Sequence, residues 1–274
     1  MEAGTLYICP TPIGNLDDIT LRVLKILKEV DLIAAEDTRH TLRLLNHFQI
    51  KKPMTSYHEH NIREKGPHLV QELQEGRTIA LVSDAGMPGI SDPGQDLIRL
   101  AIEEGIEVVG LPGPSAALLA LVISGLPTEK FAFEGFLPSR STDRKKALES
   151  IRDERRTLIF YESPHRIAGS LQDMVAVLGD RQASLSRELT KHYEETIRGG
   201  LEEILSVANE RTLKGEMVLV VRGAEEVEAE EVDIKEELRR LLEGGMTKKE
   251  AVKELVRVHG LPRNQVYQES LDLD

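Results

Sequence analysis

The sequence contains few aromatic residues, little cysteine and a deficit of positive charge. Tryptophan is absent and aromatic residues make up 4% of the 274 residues. This is too few for the aromatic platforms on which single-stranded nucleic acids stack. The formal net charge of −12 argues against a protein that coats a polyanion, because phosphate contacts require lysine and arginine. A local basic face remains compatible with this charge.

The sequence also contains no pattern that predicts a disulfide, a secretion signal or a membrane span. The single cysteine, Cys9, cannot form an internal disulfide, and the opening MEAGTLYICP lacks the basic segment of a signal peptide, so we expect a cytoplasmic protein. The longest nearly apolar run, residues 116–126, is well short of the roughly 20 residues that cross a bilayer. We therefore expect no membrane partner.

Short apolar runs alternate with helical patterns in the first half of the chain. Candidate strands lie at residues 6–9, 31–35, 54–57, 78–83 and 106–110, an alternation that predicts a parallel sheet with helices on both faces. After Pro127 the strands follow one another more closely, at residues 131–138, 157–162, 183–189, 194–200 and 216–223. This spacing predicts a second α/β domain with a mixed sheet.

The last fifty residues have a different composition. Residues 224–237 contain eight acidic residues and one lysine, which is typical of a solvated linker. Three helical patterns follow, and Thr247 with Glu250 forms a capping box at the start of the second. We predict an N-terminal α/β domain at residues 1–127, a second α/β domain at 128–224, and an acidic linker with a helix-turn-helix-like tail at 225–274.

Loops rich in glycine and proline follow three of the candidate strands, at residues 10–14, 84–94 and 111–114. Ligands of open α/β sheets bind outside the carboxyl ends of the strands, so loops at one edge predict a shared crevice. No lysine follows the glycines as in a phosphate-binding P-loop, and the first loop lacks the G-x-G-x-x-G of dinucleotide sites. A purely structural role as turns remains open. We expect residues 90–94 to be only the turn before the next helix.

Five segments identify a family: PTPIGNLDDIT, IAAEDTR, SDAGMPGISDPG, LPGPSA and YESPHR. In this order they closely resemble the ribosomal RNA small subunit methyltransferase I family, within the tetrapyrrole-methylase-like (class III) S-adenosylmethionine methyltransferases. The resemblance covers residues 5–223, and the tail resembles a helix-turn-helix module of some members. It implies a two-domain α/β fold, S-adenosyl-L-methionine as the cofactor between the domains, and a homodimer.

The resemblance also implies the substrate and the residues that bind the cofactor. The substrate is a cytidine ribose of small-subunit ribosomal RNA, methylated at its 2′-oxygen, in naked RNA or in the assembled subunit. Asp84 can accept hydrogen bonds from a ribose or an ammonium group, and Gly86 leaves room for a ligand beside the backbone. Ser115 can equally serve as a helix N-cap. The expected cofactor contacts are Ile13, Gly14, Asp84, Ala85, Gly86, Met87, Ser115, Ala116 and Tyr161.

A ribose hydroxyl is a poor nucleophile until a base removes its proton. Polar side chains at the strand ends supply the catalytic candidates Glu36, Asp37, Arg39 and Glu162, among which the sequence does not select the base. Arg39 and Arg166 can each hold a phosphate through forked hydrogen bonds, or can form ion pairs that link the two domains. The sequence shows no further metal ligand to accompany His58 and His60, so we expect no metal site.

The chain concentrates positive charge in one segment. Residues 140–156 carry seven basic and four acidic residues, which favours an RNA contact in an acidic protein, although a solvated helix face explains the segment equally well. The expected RNA contacts are Arg140, Arg144, Lys145, Lys146, His165, Arg166, Arg187 and Lys191. Two other functions are considered: methylation of a porphyrinoid in the same cleft, and non-catalytic nucleic-acid binding through the tail, whose shape also suits protein partners.

Overall fold

The computed structural model describes residues 3–225, 233–259 and 263–271. The chain divides into two compact units, Met1–Ala224 and Glu225–Asp274. Of the predicted acidic linker, residues 226–232 lie outside the described residues. No helix in the described ranges has both the length and the apolar character that a bilayer crossing requires.

The first half of the larger unit is a parallel sheet covered by helices. Its strands have the spatial order β3-β2-β4-β1-β5, and every neighbouring pair is parallel. β2 and β4 are buried along their whole length, as expected for strands covered on both faces. The elements are β1 (Thr5–Ile8), α1 (Leu21–Glu29), β2 (Leu32–Ala35), α2 (Thr38–His47), β3 (Met54–Ser56), α3 (Ile62–Gln74), β4 (Ile79–Val82), α4 (Gln95–Glu103), β5 (Glu107–Gly110) and α5 (Ala116–Ser124).

The second half of this unit contains the predicted mixed sheet, with strand order β6-β7-β10-β8-β9. β6 and β7 are parallel, and the remaining neighbours are antiparallel. Its elements are β6 (Phe131–Phe136), α6 (Ser141–Ser150), β7 (Thr157–Glu162), α7 (Ile167–Leu178), β8 (Gln182–Arg187), β9 (Glu195–Gly200), α8 (Leu201–Glu210) and β10 (Met217–Val221). The predicted α/β fold is thus confirmed, whereas its division at residues 127 and 128 stays a prediction.

Helix α5 joins the two halves. Its Ala120 and Leu121 pack against Ile159 and Val220 of the second sheet, while α6, α7 and α8 cover the opposite face of that sheet. This packing explains why α5 is apolar along most of its length, because the helix follows a strand of the first sheet but buries part of its surface against the second sheet. The contact fixes the edge of the first sheet relative to the second.

Over residues 233–259 and 263–271, the smaller unit is a bundle of three helices, α9 (Ile234–Glu243), α10 (Lys248–His259) and α11 (Arg263–Leu271). Its core contains Leu238, Leu255 and Val266. The predicted capping box is confirmed, since the backbone nitrogen of Thr247 lies 3.0 Å from Oε2 of Glu250 and the nitrogen of Glu250 lies 3.4 Å from Oγ1 of Thr247. The helical tail is therefore present as predicted.

Candidate active site

The loops that follow β1 and β4 are joined through their backbones. Thr11 and Gly86 exchange two hydrogen bonds, with N···O distances of 2.9 Å and 3.0 Å. Gly86 has a φ of 79°, in the left-handed region that favours glycine. A Cβ atom at Gly86 would lie 3.5 Å from Cγ2 of Ile13. The two loops therefore form one continuous wall at the carboxyl edge of the first sheet.

The loop after β1 also packs against the second half of the unit. The backbone nitrogen of Asn15 lies 3.0 Å from Oγ1 of Thr190. A Cβ atom at Gly14 would lie 2.4 Å from Cγ of Lys191 and 2.8 Å from the carbonyl oxygen of Leu189. Only glycine permits this approach, which closes one end of the cleft between the two sheets.

Two cavities lie in this cleft. Their volumes are about 190 Å³ and 360 Å³, and together they reach the ~300–1,000 Å³ range of small-molecule sites. Ile13, Ala85 and Glu216 line both cavities, which therefore adjoin. All nine expected cofactor contacts line one or the other: Ile13, Ala85, Gly86, Met87, Ser115, Ala116 and Tyr161 the first, and Ile13, Gly14, Asp84 and Ala85 the second.

Carboxylates tie the loops after β2 and β4 together. Oε2 of Glu36 accepts a hydrogen bond from the backbone nitrogen of Asp84 at 3.2 Å, and Oδ1 of Asp84 accepts one from the backbone nitrogen of Asp37 at 3.1 Å. Burial raises the pKa of Glu36, and the charges of Asp84 and Asp37 act in the same direction, although the hydrogen bond from Asp84 opposes them. The edge of the cleft is thus strongly acidic.

Asp37 and Arg39 form an ion pair within one loop, with Oδ2 of Asp37 2.7 Å from a guanidinium nitrogen of Arg39. Asp37 also caps α2 by accepting a hydrogen bond from the backbone nitrogen of Arg39 at 2.8 Å. The hydrogen bond from the Arg39 side chain holds the pKa of Asp37 well below its usual range, so this carboxylate is a weak proton acceptor. The Arg39 side chain is 87% exposed and remains accessible to a phosphate.

Glu162 lies at the end of β7 with its side chain fully buried. Its carboxylate accepts hydrogen bonds from the Ser163 nitrogen at 2.9 Å, from Oγ of Ser170 at 2.7 Å and from the Arg166 guanidinium at 3.4 Å. Arg166 also donates to the carbonyl of Leu137. These contacts order the loops after β6 and β7. The ion pairs of Arg39 and Arg166 with Asp37 and Glu162 are local, so the interpretation that they link two domains is wrong.

Tyr161 and the start of α5 form a further wall. The Tyr161 ring meets the rings of Phe133 and Phe136 edge-on, with centroid distances of 4.9 Å and 5.5 Å. Burial raises the pKa of Tyr161. Ser115 occupies the N-cap position of α5, but its side chain makes no capping hydrogen bond. The first backbone N–H groups of α5 therefore have no side-chain cap from Ser115, and the N–H of Ala117 interacts with the Tyr161 hydroxyl instead.

Residues 90–94 contribute more than the expected turn. Gly94 does occupy the N-cap position of α4, yet Ile90, Ser91 and Asp92 line the first cavity. The expectation of a turn alone is therefore wrong. The acidic residue beside the second proline of the loop was visible in the sequence, whereas nothing in the pattern distinguished Glu216, which lines both cavities.

The expected RNA contact by Arg144 is contradicted by its burial. Its side chain is 7% exposed and pairs with Asp173, with Nε 2.8 Å from Oδ2. Its remaining guanidinium donors reach the carbonyls of Pro138, Ser139 and Gly169. Arg144 therefore fastens α6 to α7, because a buried guanidinium requires a charged partner and several acceptors.

The other expected RNA contacts fall into two groups. Arg187 pairs with Glu195 at 2.6 Å, and Lys191 bridges Glu188 at 2.9 Å and Glu216 at 3.0 Å. Arg166 binds the carbonyl of Leu137 and the carboxylate of Glu162. These three cations hold loops around the second sheet. Arg140, Lys146 and His165 are exposed to solvent, whereas Lys145 is 49% exposed and its Nζ lies 3.5 Å from Oδ1 of Asp173.

The chain matches two family models. Residues 5–205 match Tetrapyrrole (Corrin/Porphyrin) Methylases, and residues 228–274 match the RsmI C-terminal HTH domain. A solved structure of uroporphyrin-III C-methyltransferase from Thermus thermophilus, complexed with S-adenyl homocysteine, is similar in fold. Its TM-score is 0.56 at 18% identity, over 80% of this chain and 97% of that one.

Two relatives match nearly the whole chain, and both are named Ribosomal RNA small subunit methyltransferase I. The protein from Halalkalibacterium halodurans is 52% identical over 97% of this chain and 94% of its own length. The protein from Escherichia coli O157:H7 is 50% identical over 98% of this chain and 95% of its own length. The chain therefore belongs to the ribosomal RNA small subunit methyltransferase I family, within the tetrapyrrole methylases.

Proposed function

We propose that this protein transfers a methyl group from S-adenosyl-L-methionine to the 2′-oxygen of a cytidine ribose in small-subunit ribosomal RNA. The observation that carries the proposal is the convergence of all nine expected cofactor contacts on two adjoining cavities. The names of the full-length relatives support an RNA substrate, and the S-adenyl homocysteine complex of a protein with the same fold supports the cofactor.

The chemistry of the cleft fits this cofactor. S-adenosylmethionine carries a sulfonium and an ammonium, and Glu36 and Asp84 give the cleft a negative potential that favours both cations. The first turn of α5, which Ser115 does not cap, suits the cofactor's carboxylate, since helix N-termini favour anions. Met87 and Tyr161 supply apolar lining. When bound, the cofactor provides an electrophilic methyl group.

The protein's own residues bind the cofactor and orient the reacting groups. Gly14 allows the first loop to lie against Leu189 and Lys191, so loops from both halves of the unit surround the proposed cofactor position. Asp84 holds its position through its hydrogen bonds with Glu36 and Asp37. Catalysis by such a site depends on in-line placement of the ribose oxygen and on a base that removes its proton. Glu36 is retained as a catalytic candidate, whereas Asp37 and Glu162 are engaged in local contacts.

The proposed RNA surface lies beside the cleft. Arg140 and His165 are exposed on the loops that follow the parallel strands β6 and β7, at the edge where Phe136 and Tyr161 line the first cavity. Lys145 and Lys146 extend this positive surface along α6. We include these four side chains, with Arg39 at the other side of the cleft, in the proposed contact to RNA phosphates.

Three further properties form part of the proposal. The protein acts in the cytoplasm, and its three segments are residues 1–127, 128–224 and 225–274.

It is a homodimer, which is supported by the large apolar side chains of Leu118 and Val122, 50% and 70% exposed on α5. Light scattering should give twice the chain mass for the wild type and a lower mass for Val122→Glu.

Labelled S-adenosylmethionine tests the reaction. The protein is incubated separately with naked small-subunit RNA, assembled small subunits and a porphyrinoid. We expect label in RNA, at a cytidine whose 3′ phosphodiester resists alkaline cleavage, because a methylated 2′-oxygen cannot attack it. Transfer only to the porphyrinoid, or only to a base of the RNA, contradicts the proposal.

A further inference from the structure

One carboxylate in the cleft differs from its neighbours in having no partner. Glu36 accepts a hydrogen bond from Asp84, Asp84 accepts one from Asp37, and Glu216 pairs with Lys191. Asp92 lines the first cavity and makes no hydrogen bond or ion pair with any residue in the described ranges. A half-buried carboxylate without a partner is costly to maintain for stability alone.

The backbone around Asp92 is bent toward the cavity. Ser91, immediately before it, has a φ of 61°, which is uncommon for a residue other than glycine. Backbone strain of this kind persists where the surrounding structure requires it, often at functional sites. Ile90, Ser91 and Asp92 all line the cavity, so the strained turn presents the carboxylate to the cleft.

The surroundings of Asp92 increase its affinity for a proton. Burial raises its pKa to about 7, and the negative charges of Glu36, Asp84 and Glu216 contribute to the increase. Tyr161 also lines this cavity, and its pKa is raised by burial and, to a smaller extent, by the charge of Asp92. A carboxylate that titrates near neutral pH is a better proton acceptor than an ordinary aspartate and is still available in its ionised form.

The geometry points to Asp92 as the general base that accepts the proton of the ribose 2′-hydroxyl, an inference that rests on the proposed function. In this step the O–H bond breaks and the proton moves to a carboxylate oxygen of Asp92. The 2′-oxygen forms a bond to the methyl carbon as the carbon–sulfur bond breaks, and the electron pair of that bond stays on sulfur. Asp92 then releases its proton to solvent.

The other acidic residues at the cleft are less suited to this step. Asp37 is held ionised by Arg39, and the carboxylate of Glu162 is fully buried and accepts three hydrogen bonds. Glu36 is committed to the loop after β4 through its bond to Asp84. Ionised Asp92 also attracts a sulfonium cation, so cofactor binding and loss of its proton are linked.

The test compares Asp92→Asn with Asp96→Asn, the same chemical change four residues later. Asp96 lies on α4 with its side chain 50% exposed and lines neither cavity. With cofactor and RNA saturating, we expect Asp92→Asn to lower kcat by at least about 100-fold and Asp96→Asn to resemble the wild type. The wild-type kcat should rise with pH through the ionisation of Asp92, and this rise should be absent in Asp92→Asn.

Calorimetry gives a readout that does not depend on turnover. The affinity of the wild type for S-adenosylmethionine should increase as pH rises from about 5.5 to 8.5, because ionised Asp92 attracts the cation. Asp92→Asn should lose this dependence while its affinity at the acidic end stays within about threefold of the wild type. Asp92→Ala, with thermal melting to confirm its fold, should regain activity when formate is added.

Distinct outcomes overturn distinct claims. Asp92→Asn with kcat within about threefold of the wild type, an unchanged pH profile, or no formate rescue of folded Asp92→Ala contradicts the role of Asp92. A wild-type protein that methylates no RNA contradicts the proposed function itself, and the inference with it.

Discussion

Oε2 of Glu36 lies 3.2 Å from the backbone nitrogen of Asp84, and Asp84 in turn accepts a hydrogen bond from the residue that follows Glu36. This reciprocal pair joins the loops after β2 and β4, which are neighbours in the sheet. Two carboxylates so close together repel each other unless a cation lies between or beside them. The arrangement therefore favours a positively charged ligand.

Replacement of Asp84 tests this interpretation. Asp84→Ala removes the acceptor for the Asp37 nitrogen and one negative charge, so we expect affinity for S-adenosylmethionine to fall about 10- to 100-fold, or ~1.4–2.8 kcal/mol. Asp84→Asn keeps an acceptor and should lose less. Calorimetry measures both constants and circular dichroism checks the fold. Unchanged affinity of folded Asp84→Ala shows that this loop does not hold the cofactor.

The basic segment contains side chains of two kinds, and their replacement should separate stability from RNA binding. Arg144→Ala leaves the buried Asp173 with only Ser141 and the half-exposed Lys145 as partners, so we expect the free energy of unfolding to fall, by at most about 3–5 kcal/mol. The double change Arg140→Glu and Lys146→Glu, at two exposed side chains, should raise the KM for RNA several-fold with stability and cofactor affinity unchanged. Denaturant melts and steady-state kinetics measure these effects. A loss of RNA affinity in Arg144→Ala without loss of stability would contradict the assignment.

The close approach at Gly14 gives a steric prediction. The methyl group of Gly14→Ala would lie 2.4 Å from Cγ of Lys191 and 2.8 Å from the Leu189 carbonyl. We expect the loop to move away, with a loss of about 1–3 kcal/mol of stability and weaker cofactor binding. Gly110→Ala is the control, since its added Cβ would meet no atom within 4 Å. Similar behaviour of the two variants would show that the approach is unimportant.

The ionisation of Asp92 should also appear in the stability of the protein. Its pKa is raised from 3.8 to about 7 in the folded state, so the folded protein binds the proton more tightly than the unfolded chain. Stability therefore falls as pH rises from about 4 through 7. Asp92→Asn should match the wild type near pH 4 and exceed it near pH 8, by ~1–2 kcal/mol after allowance for partial exposure. Urea denaturation at both pH values measures the difference; an equal effect at both excludes the ionisation as its cause.

Local patterns were sufficient for most of the elements. The candidate strand at residues 157–162 coincides with β7 (Thr157–Glu162), because an apolar run of this length bounded by polar residues has few alternatives. The capping box at Thr247 depends on residues three positions apart. The strand order β3-β2-β4-β1-β5 could not be predicted from local patterns, since it depends on pairings between distant segments.

The sequence by itself determined that a cleft lies at the carboxyl edge, because glycine- and proline-rich loops follow three of its strands, and its motifs implied the contact residues by their resemblance to a family. The tertiary structure alone decided what individual charged groups do. Arg144 lies in a basic segment, yet its role is set by Asp173, 29 residues away. Asp92 lies in an ordinary turn motif, yet its pKa is raised by burial and, to a smaller extent, by the charges of Glu36, Asp84 and Glu216. Hydrogen bonds and ion pairs act over a few ångströms, and only the folded chain brings these distant partners within that range.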